Sequence, residues 1–212
     1  MQFAECITPR VQRIRNSLRS DNHKSTFELQ PHPDIPTPFV EQLRVCVEPQ
    51  ADGCMRFRFE VLGDLSKLEV PAVSAAKRTD GLWRATCFEV FLRGADATGY
   101  EEWNFAPSGE WAAYRFDAYR EGMSPLELAH EPTMRWRADA RRGELDVLIT
   151  RAAPSVSLHM GLSAVLRDAV GRSITGPCSI PRASPTFITP QGLPEGSMET
   201  STDEVLRFAA NR

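Results

Sequence analysis

Apolar and polar residues alternate along much of this chain with a period of two, the spacing at which successive side chains of an extended strand point to opposite sides of a sheet. Leu43, Val45 and Val47 alternate with Arg44 and Cys46. Beyond the turn signal Ala51-Asp52-Gly53, Met55, Phe57, Phe59 and Val61 alternate with Arg56, Arg58 and Glu60. This pattern predicts a hairpin with one face in a core and the other in solvent. Gly63-Asp64 marks a turn into a short strand at residues 67–70, which Pro71 ends because proline has no N–H to give to a ladder. Residues 71–81 are expected to be loop or a short helical turn.

Residues 85–92 break the alternation. They are apolar at nearly every position except Glu89, as in a central strand covered on both faces. Residues 100–105 and 111–116 flank Pro107-Ser108-Gly109 and predict a second hairpin. A loop follows from Asp117 to Glu131, with residues 126–130 expected as helix, and then strands at 134–138, 145–150 and 157–166. About ten short strands with almost no helix define the expected fold class, an all-β antiparallel sandwich. The alternating helices of a doubly wound nucleotide-binding fold are missing.

Composition narrows the function classes. The chain of 212 residues is 42% apolar and 25% charged, enough for one sizeable β domain. No apolar run approaches the ~20 residues of a membrane-spanning helix. A net charge of −3 gives no concentrated basic surface, so nucleic acid is not an expected partner. Residues 1–25 mix Arg10, Arg13, Arg15, Arg19 and Lys24 with polar residues and lack the apolar stretch of a secretory signal. They are expected to be a peripheral N-terminal tail. The five cysteines are an odd set without a C-x-x-C pair, which fits reduced thiols and a cytoplasmic location. Cys46 and Cys87 fall inside apolar patterns and are expected to act as small buried hydrophobes.

Common catalytic signatures are absent: there is no phosphate-cradling glycine loop, G-x-S-x-G or H-E-x-x-H. What stands out is the density of aromatic and hydrogen-bonding residues between Trp83 and Arg120. On a strand, Glu102 and Asn104 share one face while Trp103 and Phe105 share the other. If Glu89 lies on the same polar face, two carboxylates and an amide converge, with Arg84 or Arg120 as the cation a buried carboxylate needs. Flat rings beside such groups suit a sugar, whose apolar ring face stacks while its hydroxyls hydrogen-bond. The candidate ligand-binding residues are Trp83, Glu89, Glu102, Asn104, Trp111, Tyr119 and Arg120. The same groups could equally form a structural polar network.

Several motifs together resemble the bacterial DOMON-like domains, relatives of family 9 carbohydrate-binding modules. They are Pro31-His32-Pro33-Asp34, Asp80-Gly81-Leu82-Trp83, Thr86 to Phe91, Tyr100 to Phe105, Pro107 to Tyr114 and Tyr119 to Met123. The likeness runs from about Leu29 to Arg172 and implies a β-sandwich related to sugar-binding and haem-binding modules. Haem-binding DOMON domains hold iron between a methionine and a histidine. Met123, Met134, His130 and His159 are the residues available, and their spacing selects no pair.

After Arg172 the β pattern fails, and Pro177, Pro181, Pro185, Pro190 and Pro194 stand where a closing strand is expected. The family carries there a stretch like Tyr-Trp-Ala-Leu, then His-Pro, then Pro-Asp-Phe-His-His. Codons permitted by Ile174 to Pro190 can spell Tyr-Trp-Ala-Leu-Gln-His-Pro-Ala-Gly-Lys-Pro-Asp-Phe-His-His-Pro in the alternate frame. The expectation is a sandwich over residues 26–173 and an irregular, frame-shifted tail over 174–212; the third bases of the DNA decide it.

These readings lead to a non-catalytic module that binds a small molecule or glycan, with no cofactor. A haem-binding DOMON-type protein is the alternative. A glycosidase-like enzyme using Glu89 and Glu102 as paired carboxylates comes a distant third.

Overall fold

A computed structural model of the chain describes residues 6–8, 24–31, 37–50, 53–94, 97–151 and 158–169. The tail from Ile174, most of the N-terminal segment, and His32, Pro33 and Asp34 lie outside the described residues.

Among the described residues eleven strands follow in chain order: β1 (Cys6–Thr8), β2 (Ser25–Pro31), β3 (Val40–Pro49), β4 (Cys54–Gly63), β5 (Cys87–Gly94), β6 (Tyr100–Phe105), β7 (Trp111–Phe116), β8 (Ser124–Pro125), β9 (Thr133–Ala138), β10 (Arg142–Thr150) and β11 (Leu158–Val165). Their ladder is antiparallel throughout, in the order β8-β7-β6-β5-β11-β1-β2-β3-β4-β10-β9. It forms two sheets of five strands, one from β8 to β11 and one from β2 to β9, joined through β1. That strand pairs Cys6 with Val165 of β11 and Ile7 with Pro31 of β2. The all-β sandwich that the alternation predicts is therefore the fold.

Three local expectations are corrected. The peripheral tail of residues 1–25 contributes β1 and the first residue of β2; a run of three residues is too short to display an alternation. The strand expected at 67–70 is instead a 3-10 turn, Leu65–Lys67, followed by a lone bridge from Leu68 to Asp168. Leu65 and Leu68 are both buried, and a spacing of three suits a tight turn better than a strand. Residues 126–130 are not helical; Leu126 and Leu128 both pack on the core, the period of extended chain.

The core lies between the sheets. Phe57, Phe59, Val61, Leu145 and Val147 of one sheet meet Phe88, Val90, Leu92, Trp103, Phe105 and Leu162 of the other. The Phe59 and Phe88 ring centroids are 5.0 Å apart. At one rim, Arg151 at the end of β10 clamps Glu101 of β6 through two hydrogen bonds of 3.0 and 2.8 Å, and the Trp103 indole N–H donates to the same carboxylate at 3.2 Å. This bidentate geometry ties the sheets together at the margin of the core.

The two outer faces differ. On the β2–β9 sheet, successive partners Glu28, Arg44, Glu60, Glu144 and Arg137 form a charged row, with ion pairs such as Arg142–Glu60 at 2.8 Å and Arg56–Asp146 at 3.0 Å. Pairs of this kind contribute little stability and mark a solvated surface. The outer face of the other sheet is buried, with a second apolar cluster of Cys87, Phe91, Tyr100, Ala112, Tyr114 and Phe116. That face carries the candidate site.

Candidate functional site

Strand pairing sets the site's polar row. Ser163 of β11 lies opposite Glu89 of β5, Glu89 opposite Asn104 of β6, and Asn104 opposite Ala112 of β7. The next row on the same face runs Gly161, Phe91, Glu102 and Tyr114. Glu89 and Glu102 are thus diagonal neighbours, a relation that puts backbone positions about 7–8 Å apart. The three residues expected to converge do so. Glu89 is 9% exposed and Asn104 is fully buried.

Asn104 organises the row. Its amide nitrogen donates to Glu102 Oε1 at 3.1 Å, while its carbonyl oxygen accepts from the Cys87 thiol at 3.7 Å. Burying an amide costs several kcal/mol unless it is hydrogen-bonded, and these contacts use both ends. Cys87 is buried as expected, with a polar contact to Asn104 as well.

Aromatic rings surround the polar row. Tyr100 stacks on Phe116 at 4.6 Å with the planes 3° apart, and Phe91 lies 6.4 Å from Tyr100. Burial first, and then the nearby Glu102 charge, push the Tyr100 phenol well above its usual range, so it stays protonated. Its oxygen takes the backbone N–H of Arg120. On the opposite flank the Trp83 ring meets Tyr114 edge-on, 6.4 Å away at 65°.

Two loops frame this face. Gly81, in the left-handed region at φ 77°, turns the chain into the 3-10 turn Leu82–Arg84 that carries Trp83. Ahead of it, Arg78 donates to the carbonyls of Ala113 and Leu126 at 3.0 and 2.5 Å, and its guanidinium lies 4.8 Å from the Trp111 ring centre. Beyond β7, Tyr119 and Arg120 form the rim. Both are exposed, Arg120 has a left-handed φ of 59°, and its guanidinium lies 5.3 Å from the Tyr119 ring centre.

Trp111 is not brought into the site. It pairs with Phe105, shares the inner face with Trp103, and is 2% exposed in the sandwich core. Its distance along the sequence from Trp83 hid the fact that the two rings sit on opposite faces. Asp80 was missed, and Tyr114, part of the aromatic-rich segment, stood outside the candidate set: Tyr114 has the same parity along its strand as Ala112 and Phe116, and its O–H donates to Asp80 Oδ1 at 2.6 Å. For haem ligation, Met134 lies in β9, Met123 and His130 in exposed segments, and His159 on β11 opposite Arg93. No two of these four occupy adjacent strands of one sheet. Among the described residues no group of three or more His, Cys, Asp or Glu side chains is placed to hold a metal.

The Arg78 loop is also tied down through Glu110. Its carboxylate is partly desolvated, which alone would raise its pKa. Hydrogen bonds from Thr79 at 3.0 Å and Ser108 at 3.1 Å, with Lys77 at 3.5 Å, outweigh this and hold it below the ordinary 4.5. A depressed carboxylate stabilises fully above its unfolded pKa, and that contribution is lost as pH falls through the lower folded value. Wild type is therefore expected to melt above Glu110→Gln at neutral pH, and the gap to close below pH 4.5. A gap that persists unchanged at low pH would reject this account.

Comparison with protein-family models, with curated proteins and with solved structures finds no match for the chain. No helix among the described residues is long and apolar enough to cross a membrane.

Proposed function

We propose that this chain is a non-catalytic, cytoplasmic ligand-binding module of the DOMON-like type, with carbohydrate as its ligand. The observation carrying this reading is the row Ser163, Glu89 and Asn104, with Glu102 diagonal to it, set among aromatic rings on one sheet face. Carboxylate and amide oxygens accept hydrogen bonds from ring hydroxyls, and Trp83, at the border of this face, offers a flat surface to the C–H face of a pyranose. Tyr119 and Arg120 at the rim add a ring and a donor. Trp111, inside the core, contributes to folding and not to contact.

A glycan array followed by calorimetry on its strongest hit tests the reading. Glu89→Gln and Glu102→Gln each remove a charged acceptor, worth about 1.5–3 kcal/mol, so each is expected to weaken binding roughly ten- to a hundredfold. Trp111→Phe is expected to change stability and leave affinity near wild type. Affinity that survives both carboxylate variants in folded protein would count against the site. A Soret band on titrating the protein with haem, with no glycan bound, would favour the haem alternative.

A further inference from the structure

We propose that Asp80 is a positioning residue that locks Trp83 and Tyr114 into one wall of the outer-face site; its ligand role rests on the reading of that face as a binding site. The Tyr114 Oη to Asp80 Oδ1 contact of 2.6 Å has the length of a charge-assisted hydrogen bond and joins residues 34 apart in the chain. An ionised carboxylate only accepts, so the phenol must spend its proton on Asp80.

The bond also fixes Trp83. Two hydrogen bonds close its 3-10 turn, Arg84 N–H to the Gly81 carbonyl at 3.1 Å and Ala85 N–H to the Leu82 carbonyl at 3.0 Å. The Thr79 N–H donates to the Trp111 carbonyl at 2.8 Å and anchors the chain one residue before Asp80, and Gly81 reverses it directly afterwards. From β7 the path runs through Tyr114 to Asp80, across Gly81 to Trp83, and back by ring contact to Tyr114. Without the carboxylate the loop is still attached at Thr79, at the Arg84 carbonyl, which accepts from Arg167, and through buried Leu82, but Tyr114 loses its direct bond to the loop that carries Trp83.

The test compares Asp80→Ala, Asp80→Asn and Tyr114→Phe in the full chain by acrylamide quenching of tryptophan fluorescence, isolating Trp83 by subtracting Trp83→Phe in each background. Asp80→Ala and Tyr114→Phe are expected to raise Trp83 quenching severalfold and to weaken binding of the strongest array glycan about tenfold. Asp80→Asn, whose amide oxygen still accepts, is expected to restore both. Wild-type quenching of Trp83 in Asp80→Ala would overturn the positioning role, whatever happens to the melting temperature. If wild type binds no glycan, the ligand reading fails while quenching still decides the role of Asp80. If Asp80→Ala binds as wild type does, the positioning role fails and the ligand reading stands.

Discussion

Phe88→Ala is expected to destabilise the protein by about 4 kcal/mol, within the usual 3–5 kcal/mol for emptying a buried phenylalanine site. Phe88 is fully buried in β5, between β6 and β11. Its ring meets Phe59 from the opposite sheet at 5.0 Å and Trp136 at 6.1 Å, so its loss opens a void where the sheets touch. Neighbouring rings belong to two hydrogen-bonded sheets and cannot close in without disturbing register. Because domains are commonly stable by only about 5–15 kcal/mol, a variant this weak should populate unfolded chain at modest denaturant. Urea unfolding checks it: the midpoint should fall with an unchanged slope. A loss below about 1 kcal/mol would mean that the sheets do not pack through this ring.

Gly63→Ala is expected to cost about 3 kcal/mol, at the upper end for forcing an extra methyl into packed structure. A Cβ there would lie 2.0 Å from the Phe39 carbonyl oxygen, in a residue whose φ of 153° side-chain-bearing residues rarely adopt. The collision cannot relax cheaply. The Asp64 N–H already donates to that same carbonyl at 2.8 Å, and the Gly63 N–H donates to the Arg141 carbonyl at 3.1 Å. Gly94→Ala is the control, since a Cβ there makes an ordinary 3.5 Å contact with Ala97 and should change stability by less than about 0.5 kcal/mol. Equal thermal midpoints for the two variants would sink the steric account.

The strands were largely legible because their signal is local. Phe57, Phe59 and Val61 face the core and Arg56, Arg58 and Glu60 do not, as their alternation requires. The run from Cys87 to Leu92, apolar on both parities, is buried on both faces of the middle of its sheet. Where the signal was weak, the reading failed. Leu65 and Leu68 are too few to separate a turn from a strand, and β1 owes its place to backbone pairing with β11 and β2. The site was half legible. Parity along one strand put Glu102 and Asn104 on the same face, but parity says nothing about which face a residue of another strand shares.

That separates the two sources of this protein's character. The chain's own pattern settled the sandwich, its central strand and the buried side of the clearly alternating strands β3 and β4, because a strand's two faces alternate whatever it pairs with. Only the tertiary structure decided that Glu89 lies between Ser163 and Asn104, that Trp111 faces the core while Trp83 borders the site, and that Asp80 reaches Tyr114. Those placements depend on register between strands far apart in the chain. A shift of one residue in any of those pairings would turn every side chain of the strand to the other face.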